Sequence, residues 1–83
     1  MKKNILYKKS VSKDLERIDR GQRVRIMLRI EKDLSAGHES GKRLSGDFEG
    51  LLRIRIGDYR VIYTVIPAGI LILRIAHRKE IYR

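Results

Sequence analysis

Residues 51–83, LLRIRIGDYRVIYTVIPAGILILRIAHRKEIYR, decide the fold of this chain. Apolar side chains alternate with charged ones near the start of this stretch, and turn-forming residues interrupt it at 57–58 (GD) and 67–69 (PAG). A period of two is typical of β-strands, whereas Gly, Pro and Asp are residues that tight turns favour. The stretch therefore predicts a meander of three antiparallel strands that ends in a basic tail, residues 77–83.

The first predicted strand separates an apolar face from a basic one. Its residues Leu52, Ile54 and Ile56 fall on one side, so we expect the core beneath them. Arg53 and Arg55 project from the opposite side. A single pair of basic residues is usually an ordinary solvated strand face, and that interpretation stays open for this pair taken alone.

Arg60 changes the balance between these interpretations. It follows the turn at 57–58 and opens the second strand, where antiparallel pairing can bring it near Arg55. Like charges placed side by side destabilise a sheet, so such a cluster indicates an anionic ligand or partner. A guanidinium is permanently charged and presents a rigid fork of donors that matches phosphate, which makes nucleic acid the first partner to consider.

The first 34 residues predict one strand and two helices. The strand covers residues 4–8, with Ile5 and Tyr7 on one face. Ser10 is placed to cap the first helix, and Gly21 is expected to end it. The second helix is predicted over 22–34, with an apolar stripe of Val24, Met27, Ile30 and Leu34 that Ile26 and Leu28 widen, and with Arg23, Arg25, Arg29 and Lys32 facing outward.

The segment between the helices and the meander, residues 35–50, is polar and rich in glycine. It predicts a loop with a brief strand near residues 43–44. The whole pattern predicts an α+β fold in the order β-α-α-β-β-β, in which a helix hairpin packs on an antiparallel sheet. Because the chain has 83 residues, we expect a single domain over 1–83.

Composition narrows the range of partners and excludes several kinds of site. The formal net charge of +10 exceeds what solubility requires and favours nucleic acid, an anionic membrane surface or an acidic protein. The absence of cysteine excludes disulfides, thiolate nucleophiles and cysteine metal sites. His38 and His77 lack metal-ligand spacing, so we expect no metal and no cofactor. No apolar run approaches the ~18 residues of a membrane span, so we expect no membrane partner and a cytoplasmic location.

The basic tail carries side chains suited to chemistry on phosphate: His77, Arg78, Lys79 and Tyr82. A charged tail at a chain end is usually frayed, and that alternative stays open here. Ile81 supplies one apolar anchor through which the tail could fold back on the sheet. His77, between the sheet and Arg78, is a candidate for proton transfer.

Four short motifs, in this order, resemble the RelE/ParE toxin superfamily on its RelE side: residues 43–46 (RLSG), 52–55 (LRIR), 58–63 (DYRVIY) and 77–83 (HRKEIYR). The resemblance covers the whole chain. It implies the toxin half of a type II toxin–antitoxin pair and a metal-independent endoribonuclease, an mRNA interferase, that acts on mRNA in the ribosomal A site. The implied partners are a cognate acidic antitoxin with helical segments, mRNA and the ribosome.

The resemblance also assigns catalytic residues. In RelE-like toxins the two basic positions on the first meander strand are often lysines, and here they are Arg53 and Arg55. The arginine after the turn corresponds to Arg60. The arginine and tyrosine near the end of the chain correspond to Arg78 and Tyr82.

The presence of arginine where lysine is common changes the expected division of roles. A lysine can give up its proton in suitable surroundings, whereas arginine stays charged at any ordinary pH. Arg53 and Arg55 are therefore suited to neutralise phosphate and not to act as a general base. The base role would pass to Tyr82 or to His77.

Two other functions remain open on the sequence. A ParE-like toxin would inhibit a DNA gyrase without catalysis, although ParE-like members generally lack the set of arginines with Tyr82. A simple RNA- or DNA-binding module would use the same basic face for phosphate contacts without cleavage.

Overall fold

The computed structural model describes residues 4–35, 42–43, 50–77 and 79. Within these ranges the strands are β1 (Ile5–Tyr7), β2 (Lys42–Arg43), β3 (Leu52–Ile56), β4 (Tyr59–Ile66) and β5 (Gly69–His77). The helices are α1 (Val11–Glu16) and α2 (Arg20–Ser35). Neither of these helices is long and apolar enough to cross a membrane.

The strands form one sheet in the order β1-β5-β4-β3-β2. The meander β3-β4-β5 is antiparallel, with turns at 57–58 and 67–68, and β2 joins its β3 edge in the antiparallel sense. The predicted α+β class and element order are confirmed. The sheet is mixed and not wholly antiparallel, because β1 runs parallel to β5. The chain between these two strands passes through both helices, and such a crossover connection permits parallel pairing.

Both helices pack on one side of the sheet and enclose the core there. Tyr63, Val61 and Ile72 are fully buried at its centre, and Ile54 and Ile56 of β3 are buried as predicted. Ile5 and Tyr7 of β1 pack against the same cluster, whereas Leu6 points the other way and is exposed. Val65 lies on the same side of β4 as Val61 and Tyr63 but near the end of the strand, and it is exposed.

The break between the helices falls earlier than predicted. Gly21 does not end the first helix but lies in the first turn of α2. Asp19 explains the difference, because its Oδ2 accepts a hydrogen bond from the Gln22 amide at 3.2 Å. An aspartate that satisfies the third amide of a helix is a strong N-cap, and it starts α2 at Arg20.

The predicted apolar stripe of α2 is confirmed at Ile26, Ile30 and Leu34 and is wrong at Val24 and Leu28. Ile26, Ile30 and Leu34 recur every fourth residue and are fully buried, whereas Val24 and Leu28 are 51% and 65% exposed. The two rows lie on different faces of the helix, so only one can contact the sheet. The row with three large residues has more apolar area to bury.

Candidate nucleic-acid interface

The sheet face turned away from the helices carries four arginines on three neighbouring strands: Arg53, Arg55, Arg60 and Arg74. We call this set the arginine face. Arg55 of β3 lies directly opposite Arg60 of β4. In the adjacent row, Arg53 lies opposite Ile62, which in turn lies opposite Arg74 of β5.

The pairing of Arg55 with Arg60 follows from the turn between β3 and β4. The turn has two residues, and Gly57 has a φ of 59°, a conformation that glycine adopts without strain. Two-residue hairpins of this kind fix the register of the strands they join. The Nε of Arg55 donates to the Gly57 carbonyl at 3.1 Å, which holds this side chain over the turn. The predicted proximity of Arg55 and Arg60 is confirmed.

A β-bulge in β5 places Arg74 on the arginine face. Tyr63 pairs with Ile72 while Ile62 pairs with Arg74, so Leu73 is an extra residue in β5. An extra residue shifts the alternation of all the residues that follow it. Without it, Arg74 would share the core side with Ile70 and Ile72. With it, Ile75 is buried in the core and Arg74 is exposed.

The arginine face combines fixed charge with partial burial. Arg53 and Arg60 are half-buried, and Arg55 and Arg74 are exposed. The Nε and Nη1 atoms of Arg60 are shielded from solvent, and a charge in such surroundings acts more strongly on a nearby anion than it would in water. Arg53 and Arg74 lie two strand spacings apart, about 10 Å. The surface can therefore contact more than one phosphate of an extended strand.

The predicted site residues divide into two groups. Arg53, Arg55 and Arg60 are brought together on one surface, as expected. Arg78 and Tyr82 lie outside the described residues, so their assignment remains a prediction.

His77 lies on the helix side of the sheet and not on the arginine face. Its ring meets that of Tyr59 edge to face, with the centroids 5.5 Å apart and the planes at 84°. Its Nδ1 accepts a hydrogen bond from the Lys79 amide at 3.3 Å. The neutral ring then carries its proton on Nε2 and offers a donor there.

The sequence places Arg74 among the arginines on or beside the sheet core that suggest a surface for holding phosphates, but it assigns Arg74 no catalytic role. Residues 70–73 are all apolar, so alternation cannot give the phase of β5. A signal was nevertheless present. Strict alternation from Ile70 would have buried Arg74 in the core, and the cost of burying an unpaired charge indicates an irregularity before it. Among the described side chains, no group of three or more His, Cys, Asp or Glu is placed to hold a metal ion.

Comparison with known proteins identifies the family. The family model for the ParE toxin of the type II toxin–antitoxin system parDE matches residues 5–82. Toxin RelE3 of Methanocaldococcus jannaschii is 32% identical over 83 residues, and the match covers 94% of this chain and 93% of that toxin.

Solved structures of toxins share the fold. The RelB–RelE antitoxin–toxin complex from Methanococcus jannaschii matches with a TM-score of 0.73 and 32% identity, over 93% of this chain and 94% of that one. The toxin–antitoxin complex RelBE2 from Mycobacterium tuberculosis matches with a TM-score of 0.81 and 23% identity, over 94% of this chain and 100% of that one. The chain therefore belongs to the RelE/ParE superfamily and is a RelE-like toxin of a type II toxin–antitoxin system.

Proposed function

We propose that this toxin is a metal-independent endoribonuclease that cleaves mRNA in the ribosomal A site. The observation that carries the proposal is the convergence of Arg53, Arg55 and Arg60 on one sheet face, with Arg55 and Arg60 directly opposite each other. Three permanent charges held this close on one sheet face suit a polyanionic substrate, because a guanidinium presents a fork of donors that matches phosphate. The 32% identity to a toxin named RelE3 supports a function that acts on RNA.

The arginine face suits the charge that develops during RNA cleavage. In the proposed reaction the 2′-hydroxyl attacks the adjacent phosphorus, the bond to the 5′-oxygen breaks, and a 2′,3′-cyclic phosphate and a 5′-hydroxyl result. Negative charge builds on the phosphate oxygens as the new bond forms. Preorganised donors that meet this charge commonly make the largest contribution to the rate. We assign this role to Arg60, with Arg78, and we assign phosphate binding to Arg53 and Arg55.

The reaction also needs one group to remove the 2′-hydroxyl proton and one to protonate the leaving oxygen. We assign proton transfer to Tyr82. His77 is the poorer choice, because it lies on the other side of the sheet and its Nδ1 lone pair is already engaged by the Lys79 amide. Since the described residues of the site supply mainly positive charge, positioning of the mRNA by the ribosome would contribute much of the remaining acceleration.

We propose that a cognate acidic antitoxin neutralises this toxin. The RelB–RelE structure from Methanococcus jannaschii is an antitoxin–toxin complex, and its matched chain is 32% identical to this one. On this chain, the exposed apolar residues Val24 and Leu28 of α2 lie next to exposed Arg25. An acidic amphipathic segment fits such a surface, because it offers apolar side chains to the first two and carboxylates to the third.

The direct test is a translation reaction with a defined mRNA, followed by primer extension to map new RNA ends. The natural toxin is compared with Arg60→Ala and with Arg20→Ala, which removes the same charge from the helix layer on the other side of the sheet. We expect new mRNA ends with the natural protein and with Arg20→Ala, and far fewer with Arg60→Ala. Intact mRNA on ribosomes that have bound the natural toxin would disprove the nuclease activity and leave a non-catalytic RNA-binding module.

A second candidate function follows from the family model itself, which is named for a ParE toxin. A ParE-like toxin would inhibit DNA gyrase and would leave mRNA intact. A supercoiling assay run beside the translation assay separates the two functions. Loss of supercoiling by gyrase, with intact mRNA, would establish the second candidate and overturn the first.

A further inference from the structure

A cleft of about 210 Å³ lies where α1 meets the second half of β5. It exists because β1 pairs with β5 only from Ile70 to Ile72, so α1 and not a strand lies beside β5 from Arg74 onward in the described residues. Asp14 of α1 is one of the residues that line the cleft. Its Oδ2 accepts a hydrogen bond from the Ile75 amide at 3.0 Å.

The lining of the cleft combines aromatic rings with positive charge. Tyr59 and His77 form one wall, and Arg17 and Arg74 contribute guanidinium groups. Aromatic rings beside positive charges are typical of sites that bind single-stranded RNA. The bases stack on the rings or on guanidinium planes, and the phosphates are attracted to the cations. A volume of about 210 Å³ is below the ~300–1,000 Å³ of pockets that enclose whole small ligands. It therefore suits a single ring system.

Arg74 connects the cleft with the arginine face. It lines the cleft, and across β4 it lies in the same row as Arg53. A strand whose phosphates lie along the arginine face therefore passes the mouth of the cleft at the edge of β5. The cleft lies on the path of the RNA in the proposed function, on which this inference rests.

We propose that this cleft receives one nucleobase of the bound RNA, next to the phosphates held by the arginine face. The base packs against Tyr59 and His77, and the guanidinium of Arg74 covers it or donates to its edge. The carboxylate of Asp14, which keeps one oxygen on the Ile75 amide, has a second oxygen to accept from an N–H of the base. The cleft thus fixes the position of the strand along the face.

The test uses short single-stranded RNAs in which 2′-deoxy residues prevent cleavage. One abasic residue, which keeps the phosphate and lacks the base, is placed at each position in turn. Affinities of the full-length protein are measured by fluorescence anisotropy. Loss of a stacked base costs about 1–3 kcal/mol, so one abasic position should weaken binding by about 5- to 140-fold and the others by much less.

Variants then assign that position to the cleft. In Arg74→Gln and His77→Ala the penalty at the sensitive position should fall below about twofold, because the base has lost its contacts. Arg53→Gln is the matched control, since it removes a charge from the same row outside the cleft. It should weaken all RNAs alike and keep the penalty. The His77 ring resonances should also shift on binding intact RNA and stay in place with the abasic RNA.

The outcomes distinguish this inference from the proposed function. Equal abasic penalties at every position, or a penalty that both cleft variants retain, would overturn the base-binding cleft while RNA binding stands. A protein that binds none of these RNAs and leaves mRNA intact on ribosomes would overturn both.

Discussion

Arg60 occupies the middle strand of the arginine face, opposite Arg55, and part of its guanidinium is shielded from solvent. We expect Arg60→Ala to slow cleavage of ribosome-bound mRNA by about 10²–10³-fold, which is typical for loss of a preorganised charge donor. The loss of ribosome binding should be smaller, since Arg53 and Arg55 remain. Single-turnover cleavage with saturating toxin measures the first effect, and cosedimentation with ribosomes measures the second.

Arg60→Lys provides the control for charge. It keeps the positive charge but loses the planar fork of donors, so its rate should fall between those of the natural toxin and Arg60→Ala. A rate for Arg60→Ala equal to that of the natural toxin would remove Arg60 from the charge-stabilising role.

Tyr7 of β1 makes a contribution to folding stability that depends on pH. Within the described part of the chain its buried hydroxyl has no hydrogen-bond partner. Burial, with a smaller contribution from the Glu31 carboxylate, raises the pKa of this hydroxyl above its ordinary value of 10.0. The unfolded chain therefore loses this proton at a lower pH than the folded protein does. The stability that this difference supplies is present below about pH 10 and is lost as pH rises through the folded pKa.

Tyr7→Phe tests this account. At pH 7 the free energy of unfolding should be unchanged or higher by up to ~1 kcal/mol, because the variant removes a buried group that lacks a partner. Above about pH 10 the natural protein should lose stability faster than the variant. Urea unfolding from pH 8 to pH 11 measures both curves. A difference between them that stays constant over this range would contradict the assignment.

Helix α2 presents different chemistry on its two sides. Ile26, Ile30 and Leu34 bury one side against the sheet, and the opposite side exposes Val24 and Leu28. An apolar row that the core does not use is available to a partner. For a basic toxin, that partner is the acidic antitoxin of the proposed function.

Leu28→Gln should weaken the antitoxin complex by about tenfold, because burial of a leucine contributes about 1.5–3 kcal/mol and glutamine recovers only part of that. The loss should be the same at low and high salt. Arg25→Gln, a neighbour on the same surface, should instead reduce the dependence of affinity on salt. Titration calorimetry at several salt concentrations measures both. Unchanged affinity in Leu28→Gln would place the antitoxin elsewhere.

The net charge of +10 belongs to the whole molecule, but its contribution to RNA binding should depend on where the charged residues lie. Binding to single-stranded RNA should weaken steeply with salt, with a log–log slope of about −0.7 for each phosphate neutralised. Replacing both Arg53 and Arg55 with alanine should make this slope shallower by about 1.4. The double variant Lys13→Ala with Arg20→Ala removes the same charge from the helix layer and should leave the slope unchanged. Equal slopes for the two double variants would mean that the arginine face is not the contact surface.

At the scale of the whole molecule, this chain has the same fold as the matched toxins. The matched toxins share the arrangement of a helix pair on a sheet. The meander, its two turns and the pairing of Arg55 with Arg60 were all predicted from the sequence, because alternation and turn chemistry act between residues close together in the chain. The excess of positive charge was also predicted from the sequence, since net charge depends on composition alone.

Tertiary structure decided the features that depend on distant residues. The predicted stripe of α2 was wider than the buried one. Val24 and Leu28 lie outside the core, because burial against a partner element sets the orientation of a helix. An extra residue in β5 determines the side of the sheet on which Arg74 lies. The position of that extra residue depends on the register between β5 and β4. The cleft beside Arg74 exists only because β1 ends early and α1 lies against the uncovered edge. Local sequence patterns determine which elements form, whereas register and packing between elements determine which side chains meet.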